Sequence, residues 1–300
     1  MKKIIVTGAS GVVGSALLEK ASSETEMLAL TRRIPDAADV NESPHVVWAQ
    51  TDYSKQSLRT LFAGADAVVH LAGIKGGITD IDAFEEDLNM MESVLEASLS
   101  CGIRKVIYSS SRLVYGNPDT IPWTEELIPQ PQSAYSINKV RCEELCRRYC
   151  EKAGMDIAVL RIAQVLSEKD HMRNMVNVFR DLASEGKQLT VIGKSKAKRQ
   201  YIYSRDVADI IMKMIDANVK GCTVVNAGME KAYSNLEIAQ AFNRAYCSSE
   251  PINYDDSKPE TITSSVMDVH RMIGITGIIP RDIDQVLADM AQRSEKTAGC

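Results

Sequence analysis

Tyr135 and Lys139 stand four residues apart, so on a helix a phenol and an ammonium share one face, a turn apart. A phenol ionises near pH 10 and is a poor base at neutral pH. One cation about 4 Å away, at an effective dielectric near 20, supplies roughly 4 kcal/mol toward the ionised form, about what a three-unit shift requires. In a chain with ten tyrosines such a pair also arises by chance. What gives it meaning is Ser109-Ser110-Ser111, at the end of a short apolar run. With Ser111 holding a substrate oxygen, Tyr135 acting as acid–base and Lys139 supporting it, the three suit hydride transfer beside a nicotinamide.

A second group of residues suits the cofactor itself. Thr7-Gly8-Ala9-Ser10-Gly11-Val12-Val13-Gly14 places glycines at 8, 11 and 14 between an apolar run and a helical stretch. A tight turn alone explains three glycines, but at a first strand-to-helix turn they let backbone N–H groups approach a pyrophosphate at a helix start. The spacing is G-x-x-G-x-x-G, unlike the G-x-G-x-x-G of many dehydrogenases. Thr31-Arg32-Arg33 ends the second apolar run, where an acid would hold the ribose of NAD. Arg32 or Arg33 there suits a 2′-phosphate and leans the choice to NADP over NAD, unless both arginines are merely solvated. Asp52 and Tyr53 follow the third run, Leu71, Ala72 and Gly73 the fourth, Ser109 ends the fifth and Ile162 the sixth; all are expected to edge the dinucleotide.

The elements that must position these residues follow from the apolar pattern. Lys3 to Val6, Met27 to Thr31, Val46 to Ala49, Ala67 to Leu71, Lys105 to Ser109 and Ile157 to Ile162 read as buried strands. Val12 to Ala21, Ser54 to Phe62, Ile81 to Ser100 and Ala134 to Ala153 read as helices between them. This alternation predicts an α/β fold with a doubly wound parallel sheet, ligands gathering at the carboxyl ends of its strands. After Ile162 the rhythm changes, and Cys222 to Asn226 could return to the sheet. We therefore expect a dinucleotide-binding domain from 1–163 and 201–228, and a smaller α+β substrate-capping domain from 164–200 and 229–300. Ser294 to Cys300 reads as a frayed tail.

At 300 residues and a net charge of −5, the chain lacks the basic excess of a nucleic-acid or anionic-membrane surface. It has no apolar run long enough to cross a bilayer and no signal-peptide pattern. Seven scattered cysteines fit reduced thiols in a cytoplasm. Cys142, Cys146 and Cys150 fall on one helix face, without the spacing of a metal site, and read as a packing stripe.

Taken together the motifs resemble the extended short-chain dehydrogenase/reductase family, the branch of NAD-dependent nucleotide-sugar epimerases and dehydratases that includes UDP-sugar 4-epimerases. The resemblance rests on Thr7 to Gly14, on Val69-His70-Leu71-Ala72-Gly73, on Tyr108 to Ser111 with Val114-Tyr115-Gly116, and on Pro131 to Lys139 with Glu143. Arg161, and Arg199-Gln200-Tyr201-Ile202-Tyr203 with Asp206-Val207-Ala208, extend it. It implies a nucleotide-sugar epimerase using NAD or NADP, with Ser111, Tyr135 and Lys139 catalytic and no metal. Arg199 is implied to grip a nucleotide diphosphate, with Lys75, Ser111, Arg112 and Gln164 around the sugar. A homodimer through the helices Ile81 to Ser100 and Ala134 to Ala153 is also implied. Two departures are the arginines at 32 and 33 and Gln164, which stands where the family mostly carries asparagine. A ketoreductase of a nucleotide sugar or small carbonyl compound shares the same triad. A dinucleotide-sensing regulator would have had no need to keep it. A dehydratase is disfavoured, because Arg112-Leu113 follows Ser111 where that activity carries an acidic pair.

Overall fold

Residues 1–35, 43–74, 84–258 and 263–298 are described by the structure, a computed structural model, with side chains followed to 293. Strands β1 (Lys2–Thr7), β2 (Thr25–Thr31), β3 (Val46–Gln50), β4 (Ala67–His70), β5 (Lys105–Ser111) and β6 (Asp156–Ile162) alternate with helices α1 (Val12–Leu18), α2 (Lys55–Phe62), α3 (Glu85–Ser100) and α4 (Ala134–Ala153). Then come β7 (Gln164–Leu166), α5 (Met175–Ser184), β8 (Thr190–Ile192), β9 (Lys198–Arg199), β10 (Tyr201–Tyr203), α6 (Ser204–Asp216) and β11 (Cys222–Ala227). The chain closes with β12 (Tyr233–Ser234), α7 (Asn235–Ala245), β13 (Asn253–Asp255), α8 (His270–Thr276) and α9 (Ile283–Ala298).

Seven strands form one parallel sheet in the order β11-β6-β5-β4-β1-β2-β3. Its inner strands are buried on both faces, and successive residues divide between two cores, as the two-residue period of a strand requires. Ile4, Val6, Val69, Ile107 and Leu160 face α1, α6 and α8, whereas Ile5, Val68, Val106 and Val159 face α2, α3 and α4. The order reverses between β1 and β4, and that reversal opens a crevice at the strand ends. As the sequence allowed, β11 rejoins the main sheet beside β6.

Strand β5 runs to Ser111, beyond the expected end at Ser109, because all three serines stay in register with β6. Below the crevice, Arg161 on β6 makes a bidentate ion pair with Glu143 on α4, at 3.1 and 2.7 Å, and the Ser110 hydroxyl donates to the same carboxylate. Helix α4 starts with a reciprocal cap between Ser133 and Ser136, and ends at Gly154 in a left-handed conformation.

Three two-stranded sheets, β7 with β10, β9 with β12 and β8 with β13, lie in the later part of the chain. A third core there joins Phe179, Phe242, Tyr201, Tyr203, Val286, Leu287 and Met290. The tail expected to fray from Ser294 is instead helical to Ala298, since α9 buries Val286, Leu287 and Met290 in that core. Arg205 on α6 pairs with Glu19 at the end of α1 and, at 3.2 Å, with Glu168 after β7.

Candidate active site

A cleft of about 580 Å³ opens where the sheet order reverses, within the size range of small-molecule sites. The glycine turn forms its floor, through Gly8, Ser10, Gly11, Val12, Val13 and Gly14. Gly8 has φ +65°, and a Cβ there would lie 2.5 Å from the Ala72 nitrogen at the exit of β4. A Cβ on Gly14 would lie 2.3 Å from the Gly8 carbonyl oxygen. Only glycine lets the two strand exits and α1 come this close. No side chain caps α1, which leaves first-turn N–H groups for an anion. The turn therefore fits a pyrophosphate.

Along the walls lie Arg32, Tyr53, Leu71, Ala72, Gly73, Ser109 and Ile162, each expected beside a dinucleotide. The Arg32 guanidinium sits 6.0 Å from the centre of the Tyr53 ring. Arg33 is exposed and away from the cleft; the Thr31 hydroxyl donates to its carbonyl and turns the chain at the end of β2. Asp52 also stays outside the wall. Its carboxylate accepts from the Ser54 N–H at 2.9 Å in the turn into α2, a bond that holds it below the usual carboxylate range.

Ser111, Tyr135 and Lys139 meet at this cleft. Tyr135 and Lys139 ride on the first turns of α4, and Ser111 ends β5 with its hydroxyl accepting from Leu113 N–H at 3.2 Å. Lys139 Nζ donates to the Ser109 carbonyl at 3.0 Å and lies 5.8 Å from the centre of the Tyr135 ring. The Tyr135 ring is set edge-on against Phe84 at 6.5 Å. A phenol and a hydroxyl thus border the same space beside a fixed ammonium, an arrangement that can pass a proton to or from a bound hydroxyl or carbonyl.

Two lining or supporting residues were given no role in the sequence reading. Asp87 on α3 lines the cleft, accepts from Ile74 N–H at 3.2 Å and from Asn138 Nδ2 at 2.7 Å, and its pKa is raised by burial against the opposing pull of Lys139. Its Oδ1 and Lys139 Nζ lie 3.3 and 3.4 Å from where a Gly73 Cβ would stand. The signal was present: Asp87 shares the inward spacing of Met90, Met91 and Val94. His70, at the end of β4, is buried and bonded through Nδ1 to Thr7 Oγ1 at 2.7 Å. That hydroxyl already accepts from the N–H groups of Leu71 and Ala72, so its proton goes to His70 Nδ1 and the imidazole is neutral. Burial pushes the pKa of His70 down to about 3.

Of the expected substrate residues Ser111 lines the cleft, whereas Arg112, Gln164 and Arg199 are not in its wall and Lys75 falls outside the described residues. Arg112 donates to Ser265 Oγ at 2.9 Å and is held below its ordinary pKa by burial and by Arg199 nearby. Among the described residues neither guanidinium has a carboxylate partner. Both bear on the Tyr201 hydroxyl, which is buried without a hydrogen-bond partner among the described residues. Two guanidinium groups without a carboxylate partner among the described residues, beside such a hydroxyl, suit an anion. Gln164 pairs along the backbone with Tyr201 on β10.

The chain is similar to known proteins along most of its length. The chain is 26% identical over 300 residues to UDP-glucose 4-epimerase 2 of Oryza sativa subsp. japonica, covering 86% of this chain and 73% of that one. It is 26% identical over 242 residues to an uncharacterised protein of Sinorhizobium fredii, of which it spans 59% while 80% of this chain is matched. In three dimensions it superposes on the UDP-N-acetylglucosamine 4-epimerase of Bacillus cereus with a TM-score of 0.88 at 25% identity, over 98% of this chain and 99% of that one. Residues 4–228 match the model of the NAD dependent epimerase/dehydratase family, and the chain belongs to that family.

Proposed function

We propose that the protein is a nicotinamide-dependent epimerase of a nucleotide sugar, most simply a UDP-hexose or its N-acetyl form. The observation that carries this reading is the meeting of Ser111, Tyr135 and Lys139 at one cleft floored by the glycine turn. A bound nicotinamide supplies the hydride acceptor and donor; the chain supplies everything else. The Tyr135 oxygen takes the proton of the sugar hydroxyl as that carbon is oxidised, and returns it after the keto sugar has turned its other face. Lys139 favours the ionised phenol electrostatically, and Ser111 holds the reacting oxygen. Arg112, Arg199 and the Tyr201 hydroxyl bind the diphosphate. The capping part, 164–200 with 229–300, closes over the sugar, and two copies pair through α3 and α4.

The family's cofactor is NAD. Arg32, which faces the cleft, supports binding of the phosphorylated form as well, and with it a second reading, an NADPH-dependent ketoreductase of a nucleotide sugar or small carbonyl compound. Incubating the protein with NAD and UDP-glucose or UDP-N-acetylglucosamine, and following the anomeric signals by proton NMR, tests the first reading: the 4-epimer is expected without net change in the cofactor. Stoichiometric consumption of NADPH with a ketone, and no epimer from any UDP-, GDP- or dTDP-sugar, would replace it by the second.

A further inference from the structure

Between β7 and α5, residues 167–174 form a strap without regular structure, and two of its residues, Asp170 and Met172, stand in the cleft wall. Helix α5 fastens it. Asn177 is only 4% exposed, and its amide donates to the Met172 carbonyl at 2.8 Å and to the Asp170 carboxylate at 2.9 Å. Asn174 Nδ2 donates to the same carboxylate oxygen at 3.2 Å, and the Met172 N–H to the other at 3.1 Å. Arg180, a turn further along α5, donates to the carbonyls of Asp170 at 3.0 Å and Glu168 at 3.4 Å. Val176 and Phe179 of this helix are buried in the third core, so the strap is tied to that core and not to the main sheet. A free carboxylate in the wall would repel a pyrophosphate, but both oxygens of Asp170 are occupied by the strap and α5. What the strap offers the cleft is Met172, a flexible thioether chain 48% exposed in its wall.

We propose that Met172 covers the bound dinucleotide from the strap's side of the cleft, and that Asn177 is the positioning residue that sets it there. This cover serves an epimerase and a ketoreductase alike, because it rests only on the dinucleotide site proposed above. An apolar side chain half in water gains when a ligand covers it, in proportion to the apolar area removed. A mobile strap would lose part of that gain to ordering on binding. With both N–H groups of its amide on the strap, Asn177 meets that cost during folding, and Met172 stands at the wall before the ligand arrives. Asn177 itself is not in the cleft wall and acts only through the strap.

The test titrates the full chain with NADH and with NADPH, followed by the fluorescence of the reduced nicotinamide, and needs no turnover. Met172→Ala, at a half-exposed side chain, is expected to weaken the tighter-binding form about tenfold, and Met172→Leu to restore most of the loss. Asn177→Ala should weaken it by a similar factor, and the double variant by no more than either change alone, because both remove one cover. Hydrogen exchange of the peptide carrying 167–174 should slow in the wild type when the dinucleotide is added, and should not slow in Asn177→Ala. The Met172 variants decide even where Asn177→Ala does not fold. An affinity of Met172→Ala within about twofold of wild type overturns the proposal, and so do losses that multiply in the double variant, which would leave Asn177 a support of the fold alone. A wild-type chain that binds neither NADH nor NADPH overturns the dinucleotide site and its cover together.

Discussion

Because Thr7 gives its only proton to His70, this imidazole must stay neutral inside the fold, and stability acquires an acid limb. The unfolded chain protonates His70 near pH 6.5, the folded one only near 3. Between those values the unfolded state binds more protons, so stability falls as pH drops through that window, by up to about 1.4 kcal/mol per unit, and is retained above it. Urea midpoints for the wild type and His70→Asn between pH 7 and 4.5 check this: the variant should show the shallower loss, and equal slopes would assign the acid sensitivity elsewhere. Beside it, Tyr135→Phe removes one hydroxyl from the cleft. Turnover should fall about 10²-fold or more while dinucleotide binding, measured by fluorescence titration, stays nearly unchanged; unaltered turnover would take Tyr135 out of the mechanism. At this scale the sequence was legible where residue type and spacing coincide, as for the glycine turn and the Tyr–Lys pair. It was harder to read where burial changes a residue's meaning: Asp87 shares the inward spacing of its helix but also reads as one more acid in the charged first turn of α3, and tertiary packing decides between the two.

Strands and helices of the sheet were readable because a doubly buried parallel strand is a continuous apolar run, and α4 was expected at its observed bounds. Ser110 and Ser111 of β5 were not, since polar residues inside a strand look like a loop until Glu143 and the β6 register account for them. Contacts between elements make two predictions. Gly14→Ala forces a methyl group against the Gly8 carbonyl; backbone must shift, with a loss of about 2–4 kcal/mol and of dinucleotide binding, and a stability within 0.5 kcal/mol of wild type would show that α1 can move aside. Glu143→Ala leaves the Arg161 guanidinium, only 4% exposed, unpaired beneath the site, at about 3–5 kcal/mol. Calorimetry on Glu143→Ala should show the loss; a melting point like that of a surface variant would mean that water reaches Arg161.

For the molecule as a whole, the charge cluster around Arg205 joins α1 to the segment after β7, two regions 149 residues apart, counted from Glu19 to Glu168. Removing it with Arg205→Ala should raise hydrogen exchange in α5 and β7 while amides of β1 and β4 keep their protection; uniform exchange across both would mean the cluster holds nothing together. The three small sheets of the later part of the chain were the least legible, because their strands are two or three residues long and gain their order from the third core rather than from local pattern. Helix α4 sets a limit of a different kind. It carries Tyr135 and Lys139 at one end and Glu143 in the middle, so a single opening of this one helix disassembles the proposed proton-transfer groups and their buried support in the same event. The half-life of the working protein is then the lifetime of one 20-residue segment, and the slowest-exchanging amides of α4 keep time for it.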